Sequence, residues 1–151
     1  DAQEGVPWGV LLLFGGGLSL AAAAQTTGLA AWIGNLMPLG LSMVLLIIMF
    51  TALIIFLTEL TSNLATTATF LPIVAIIATQ FGFDPLLLTA SIAIAASCAF
   101  MLPVATPPNA IVFGSELIKV PQMMRAGIVI NLIAIVVVTL AGLYLVPLFL
   151  I

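Results

Sequence analysis

Charge is the scarcest property of this sequence. Of its 151 residues, two are Lys or Arg and five are Asp or Glu, whereas 64% are hydrophobic. A water-soluble fold of this length needs much more polar surface, so the composition indicates an integral membrane protein in contact with the lipid bilayer. Two basic residues cannot form a basic patch, which excludes nucleic acid as a partner.

Histidine is absent, and Cys98 is the single cysteine. These absences exclude a disulfide framework, a zinc site built on imidazole, and catalysis by a Ser/His or Cys/His pair. An aspartate pair at membrane depth is also disfavoured, because Asp1 and Asp84 both border apolar segments. We therefore predict that the protein is not an enzyme and that Cys98 is a small packing residue.

The residues that are present form about five apolar segments, as in an all-α membrane protein. Gly15-Gly16-Gly17 in the first segment allows helices to approach closely in lipid. The second has the composition of a lipid-facing helix, and the run from Ala30 to Met37 before it is too short to cross alone. The segments are Trp8 to about Ala24, Leu39 to Leu57, Phe70 to Ala78, Pro85 to Leu102 with a short continuation from Ile111 to Ile118, and Ala126 to Ile151.

The stretch Thr61-Ser-Asn-Leu-Ala-Thr-Thr67 collects an amide and several hydroxyls between two apolar segments. The apolar run that follows, from Phe70 to Ala78, is too short to cross a membrane unless residues 65–69 are also helical. Non-helical backbone at membrane depth is tolerated only where protein buries it or where it lines a wet cavity. The pattern therefore predicts a re-entrant helical hairpin with its tip at Ser62-Asn63.

Three prolines, Pro103, Pro107 and Pro108, interrupt a later apolar run. Proline lacks an N–H and disfavours helix at the preceding residue, so we expect the helix to unwind near Ala105 to Pro108. The carbonyls that lose their partners must then be satisfied by a neighbouring helix, by water or by a cation, because an unpaired carbonyl is costly in hydrocarbon.

The last segment carries two further expectations. Asn131 within it is expected to form an interhelical hydrogen bond. Lys119 and Arg125, the only basic residues, are expected to share the short loop that precedes it. Because cytoplasmic loops are enriched in basic residues, this predicts an external C-terminus.

Two polar interruptions in one short chain allow two interpretations. In secondary transporters, discontinuous helices present N-terminal amides to an anion and unwound carbonyls to sodium. Here Ser62 and Asn63 offer donors for a carboxylate or sulfate, and Thr58, Asn63 and loop carbonyls offer oxygen ligands for a small cation. Alternatively, the chain is a non-transporting membrane assembly or channel subunit whose breaks serve only for packing.

Three stretches of the sequence resemble the divalent anion:sodium symporter family, the sodium-coupled transporters of dicarboxylates, tricarboxylates and sulfate. Ser97-Cys-Ala-Phe-Met-Leu-Pro-Val-Ala-Thr-Pro-Pro-Asn-Ala-Ile-Val112 resembles the family signature. Glu59-Leu-Thr-Ser-Asn-Leu-Ala-Thr-Thr67 resembles the second Ser-Asn-Thr motif, and Pro7-Trp-Gly-Val-Leu-Leu-Leu-Phe-Gly-Gly-Gly17 resembles the C-terminal repeat. The resemblance implies that residues 1–151 are the C-terminal inverted repeat of a homodimeric elevator-type transporter of the plasma (inner) membrane, with a re-entrant hairpin and a Pro-broken helix.

The same resemblance implies roles for individual residues. Those that match the binding site for a substrate carboxylate are Ser62, Asn63, Thr106 and Pro107. Those that match the sodium site of this repeat are Thr58, Thr61, Asn63 and Ala105, in part through backbone carbonyls. The implied function is Na⁺-coupled symport of a divalent anion, with a dicarboxylate such as succinate as the expected substrate.

Two features depart from the family pattern. Leu64 stands where the motif has threonine, which removes a hydroxyl donor and leaves dicarboxylate, tricarboxylate and sulfate open as substrates. The first repeat, with its own Ser-Asn-Thr hairpin and the other sodium site, is not in this chain, which starts with Asp1 rather than Met. We therefore expect an internal piece of a longer protein that carries half of the site and does not transport alone.

Overall fold

A computed structural model describes residues 8–29, 32 and 42–150. The described residues form helices and no strand, in agreement with an all-α membrane fold. Of the run from Ala30 to Met37, only Trp32 is among them. In chain order the helices are α1 (Trp8–Thr26), α2 (Met43–Thr58), α3 (Asn63–Gln80), α4 (Pro85–Ala95), α5 (Pro107–Gly114), α6 (Val120–Leu140), a π-helical turn (Ala141–Leu145) and α7 (Val146–Leu150).

Helix α3 is long enough to cross a hydrocarbon core. Its 18 residues extend about 27 Å at 1.5 Å per residue, and residues 65–69 are helical, as that length requires. Gly82 ends it in the left-handed conformation, with φ of +74° and its N–H bonded to the Thr79 carbonyl at 3.0 Å. The described residues contain one other helix of sufficient length and apolarity, Val120–Phe149.

The hydrophobic core lies between α2, α3, α4 and α6. Helix α2 packs against α4 and α6, and seven of its 16 residues are buried. The expectation of a simple lipid-facing helix at Leu39 to Leu57 is therefore wrong for this face, although Leu45, Met49, Leu53 and Phe56 on the other side remain exposed. The sequence of a helix that is apolar all round does not indicate which face packs. Contacts with α4 and α6 determine that face of α2.

The break in the fourth apolar segment starts earlier than the prolines predict. Helix α4 ends at Ala95, and the backbone stays non-helical through Thr106. Pro107 and Pro108 are instead the first two residues of α5, where a missing N–H removes no helical hydrogen bond. The unwinding expected near Ala105 to Pro108 is thus found at Ala105 and Thr106, but it is wrong for the two prolines and the break extends back to Ala96. Side chains from other elements, described below, hold this non-helical backbone.

The last helix also begins earlier than expected. Helix α6 starts at Val120, so Arg125 lies inside it and does not share a loop with Lys119. The Gln122 side chain accepts the Lys119 N–H at 2.9 Å and so satisfies one amide at this end. Both basic side chains are exposed near the start of α6, and the external C-terminus stays a prediction.

Helices α1 and α3 meet where proline and glycine complement each other. Pro72 lies inside α3 and has no N–H, so the carbonyl of Ala68 loses its usual helical donor. That carbonyl faces Gly17 of α1, where an added Cβ would lie 2.3 Å from the Ala68 oxygen. Only Gly17 of the expected close-packing triplet therefore makes the contact. Around Gly15 and Gly16 nothing in the described part of the chain lies within 4 Å of an added Cβ.

Gly17→Ala is expected to destabilise the fold, because the methyl group would collide with backbone that cannot move without separating α1 from α3. Overpacking of this kind typically costs about 1–3 kcal/mol. The measurement is thermal unfolding of the detergent-solubilised protein. The matched control is Gly16→Ala, whose methyl group meets open space. Equal unfolding temperatures for the two variants would contradict the packing assigned here.

Candidate functional site

The end of α2 and the break after α4 meet at the side chain of Thr58. The Thr58 hydroxyl lies 2.5 Å from Asn63 Oδ1 and 3.1 Å from the carbonyl oxygen of Ala96. Thr58 is fully buried, and Ala96 is the first non-helical residue after α4. One hydroxyl has one proton, so it can donate to only one of the two oxygens. Three oxygens therefore converge with a single proton among them.

Thr61 and Ser62 occupy the link between α2 and α3. The Thr61 hydroxyl donates to the Leu57 carbonyl at 2.9 Å and lies 2.6 Å from the Thr66 hydroxyl. Ser62 is the N-cap of α3, and its side chain accepts the Ala65 N–H at 3.4 Å. The Thr61 hydroxyl is thus already bonded to α2 and α3, whereas Ser62 is exposed at the N-terminus of α3.

The first two amides of α3 belong to Asn63 and Leu64. Amides at these positions have no acceptor within their own helix, and the helix dipole adds partial positive charge there. Leu64 is 46% exposed. Together with the Ser62 hydroxyl, this helix end offers donors to an anion without any basic side chain.

Thr106 begins the second half of the broken helix. It is the N-cap of α5, where its hydroxyl accepts the Asn109 N–H at 3.4 Å. Because Pro107 and Pro108 follow, the first two positions of α5 carry no N–H. Ala105 donates its N–H to the Leu102 carbonyl at 3.2 Å. This helix end can therefore act on an anion through its dipole and the Thr106 hydroxyl, but not through free amides.

Three carbonyls of the break, those of Ala96, Ala99 and Leu102, find donors in side chains. Asn109 is buried, and its Nδ2 donates to the Ala99 carbonyl at 2.9 Å and to the Leu102 carbonyl at 3.0 Å. The Thr58 hydroxyl serves the Ala96 carbonyl. The sequence predicted that such carbonyls need partners, and Thr58 at the end of α2 and Asn109 in α5 supply them.

The amides of the break are held by Glu59, which sequence reasoning treated only as the end of a segment. Glu59 Oε1 accepts the N–H groups of Phe100 and Met101 at 2.8 and 2.9 Å, and Oε2 accepts that of Leu102 at 3.0 Å. Glu59 is 4% exposed. An acidic residue between two long uncharged runs was the available signal, since such residues inside membranes are usually functional.

Helix α6 completes this contact through Asn131, whose Nδ2 donates to Glu59 Oε1 at 2.8 Å. This confirms the predicted interhelical hydrogen bond. Gly127, one turn earlier, lies against the break, because a Cβ added there would lie 2.3 Å from the Phe100 carbonyl oxygen. Cys98 is half-buried beside the core, as expected of a packing residue.

The predicted site residues are thus only partly brought together. Thr58 and Asn63 are in direct contact and reach the break at Ala96. Within the described ranges, no hydrogen bond joins Ser62 or Asn63 to Thr106, and the side chain of Thr61 and the amide of Ala105 bond elsewhere. The two halves of the predicted site are linked through Ala96 and Glu59.

Comparison with known proteins identifies relatives along the whole chain. Residues 2–151 match the family model described as the sodium:sulfate symporter transmembrane region. Two proteins named sodium-dependent dicarboxylate transporter SdcS align over 149 residues, at 46% identity in Staphylococcus saprophyticus and 48% in Staphylococcus aureus strain MRSA252. Each alignment covers 97% of this chain, and the chain spans 29% of the length of each relative.

These relatives are transporters and not enzymes, so the expectation that this protein is not an enzyme is confirmed. They also confirm the resemblance noted from the sequence motifs. A passive membrane subunit is not favoured. The family, the composition and two helices long enough to cross a bilayer together indicate an integral membrane protein.

Thr58→Val is expected to lower the free energy of unfolding by about 1–3 kcal/mol, because it removes the one proton that Asn63 Oδ1 and the buried Ala96 carbonyl share while preserving side-chain shape. Thermal or denaturant unfolding in detergent measures the loss. Thr79→Val is the matched control, since the Thr79 hydroxyl is exposed and bonds only within its own helix. Thr58→Val as stable as this control would show that the hydroxyl does not join α2 to the break.

Proposed function

This chain belongs to the sodium:sulfate symporter family, and from that premise we propose that it supplies one half of the site of a Na⁺-coupled dicarboxylate transporter. A dicarboxylate is proposed because the aligned SdcS proteins are named for dicarboxylates. Succinate is the simplest substrate of this class. The chain spans 29% of those relatives, so the other half of the site is assigned to a part of the transporter outside residues 1–151.

The observation that carries this proposal is the oxygen cluster of Thr58, Asn63 and Ala96. Asn63 Oδ1 and the Ala96 carbonyl oxygen lie 2.5 and 3.1 Å from the Thr58 hydroxyl oxygen, and the three oxygens have one hydroxyl proton among them. Small hard cations prefer such oxygen ligands. When the three oxygens move apart to receive sodium, the ion bridges them in place of the hydroxyl proton. The backbone carbonyls of Thr61 and Ala105 are further ligands.

The anion is assigned to the adjacent end of α3. The Ser62 hydroxyl and the first amides of α3, those of Asn63 and Leu64, are donors that a carboxylate can accept. The only basic residues of the chain, Lys119 and Arg125, lie around the start of α6 and not at this helix end. The charge of the substrate is therefore balanced by helix dipoles and by the bound sodium ion, which couples the two ligands energetically.

Thr106 and Pro107 contribute from the other side of the site. The Thr106 hydroxyl is a donor at the N-terminus of α5, and Pro107 directs that helix end without using an amide of its own. Their proposed contact with substrate requires α3 and α5 to face a common space, and the contacts that bear on it are those of Thr58 with Asn63 of α3 and with Ala96, where the break that leads to Thr106 begins. The remaining substrate contacts come from the N-terminal repeat.

For the whole transporter we propose the arrangement that the family resemblance implies. It is a homodimer in the plasma membrane, in which α2 and α3 form a re-entrant hairpin within a domain that moves as an elevator. The C-terminus of this chain is external. Val120–Phe149 is long enough for a full crossing, and the short α2 and α5 suit partial crossings.

Sodium-dependent uptake tests the proposal directly. In a chimera, this chain replaces the matching 149-residue segment of the Staphylococcus aureus relative, and the purified protein is reconstituted in liposomes. Succinate uptake is expected in a Na⁺ gradient and not when choline replaces Na⁺. Asn63→Ala is expected to abolish uptake, because it removes an oxygen of the cluster. Ser19→Ala, at an exposed hydroxyl of α1, serves as the control. Uptake that ignores Na⁺ contradicts the symport mechanism.

Leu64→Thr tests the placement of the anion. The substitution adds a hydroxyl donor at the N-terminus of α3, beside the amides proposed to bind the carboxylate. A hydrogen bond to a charged group corresponds to a decrease in the KM for succinate on the order of tenfold. Competition by citrate and sulfate in the same assay reports which anion gains most. A KM unchanged for all three anions would remove the substrate from this helix end.

A further inference from the structure

Within the described part of the chain, the Glu59 side chain forms four hydrogen bonds, and none of them is to a residue of the proposed substrate or sodium sites. Its carboxylate accepts three consecutive backbone N–H groups of the break and the side-chain amide of Asn131. All four partners are donors, as an ionised carboxylate requires. Placing an acidic group at 4% exposure is costly unless its bonds are complete. The group therefore acts on the backbone of the break.

Of the two polar atoms in the Asn131 side chain, Nδ2 makes this contact. Its Nδ2 donates to Glu59, whereas its Oδ1 is buried without a hydrogen-bond partner among the residues that the structure describes. A buried acceptor without a donor lowers the free energy of unfolding. The orientation of the Asn131 side-chain amide is therefore determined by its bond to Glu59. Gly127 lets α6 approach the backbone of Phe100 and Met101 on the same side. Helix α6 thus fixes both the carboxylate and the segment it binds.

Short chains of contacts run from Glu59 to both halves of the proposed site. On one side Glu59 follows Thr58 directly in the sequence, and Thr58 contacts Asn63 and Ala96. On the other side Glu59 binds the N–H of Leu102, whose carbonyl accepts from Ala105 and from the Asn109 side chain. Ala105 and Asn109 flank Thr106. Among the described residues, the end of α2 is hydrogen-bonded to the break at two places, through Thr58 at Ala96 and through Glu59 at Phe100, Met101 and Leu102, and the second place is the nearer to Thr106.

We propose that Glu59 is a positioning residue that holds the sodium half and the substrate half of the site at a fixed separation, with Asn131 of α6 orienting its carboxylate. This inference rests on the proposed function, and it assigns to Glu59 a role without contact to either ligand. Loosening the junction makes both ligands bind more weakly, because part of their binding free energy is then spent on ordering the break. Transport at saturating ligand is much less affected.

The test uses the chimera described above, with Glu59→Gln as the main variant. The substitution keeps the shape of the side chain but turns one acceptor oxygen into an NH₂ group, which cannot accept the N–H facing it. The Na⁺ concentration for half-maximal uptake and the KM for succinate are each expected to rise about tenfold, the effect of losing one charge-assisted hydrogen bond. The maximal rate per protein in the membrane is expected to change less than about threefold.

The matched control is Glu116→Gln, the same chemical change at an exposed glutamate outside both halves of the site. Asn131→Leu is the second variant, and it removes one donor while leaving the three backbone donors in place. It is expected to raise the same two constants about threefold. If Glu59→Gln does not reach the membrane, Asn131→Leu decides, and constants equal to those of the parent overturn the proposal.

Hydrogen exchange of the peptide covering residues 97–103 separates this inference from the proposed function. In Glu59→Gln the amides of Phe100, Met101 and Leu102 are expected to exchange faster than in the parent and in Glu116→Gln. A parent chimera without Na⁺-dependent uptake refutes the proposed function, and exchange then judges Glu59 by itself. Exchange that is equal in all three proteins overturns the role of Glu59, whatever the uptake shows.

Discussion

The bonding of Glu59 to three consecutive backbone N–H groups is the interaction on which the broken helix depends. In a hydrocarbon environment every amide and carbonyl needs a partner from the protein, and a helix normally supplies it. From Ser97 to Thr106 the backbone is not helical, and most of its groups lack helical partners. Glu59 accepts three of the amides, while Thr58 and Asn109 serve three of the carbonyls. Each orphan group would otherwise cost about 1–3 kcal/mol.

This arrangement explains why the break does not begin at its prolines. A proline disrupts the helical bond to the carbonyl four residues before it, but α4 ends at Ala95, well before Pro103. The chain leaves the helix after Ala95, where Thr58 and Glu59 can form hydrogen bonds with its backbone. The later prolines have a different effect, because Pro107 and Pro108 open α5 at positions that need no amide.

Close approach of helices is the second constraint, and it operates at single glycines. Gly17 receives the Ala68 carbonyl that Pro72 leaves without its usual donor, and Gly127 brings α6 against Phe100 and Met101. Contacts of this type replace the hydrophobic driving force that is missing between helices in lipid. They also keep α6 near Glu59, which allows Asn131 to reach the carboxylate. Packing and the polar junction therefore support each other.

The sequence by itself determined the class of protein, the two interruptions and the need of the broken backbone for hydrogen-bond partners. Composition decides whether a chain suits lipid or water, and proline acts on the backbone next to it. It also predicted the hydrogen bond of Asn131, since an amide in lipid must find one. Only the tertiary structure decided that α2 has a buried face, that Arg125 lies within α6 and that the break starts at Ala96. Those outcomes depend on contacts between residues distant in the chain, above all Glu59 with Phe100, Met101 and Leu102, which no local pattern records.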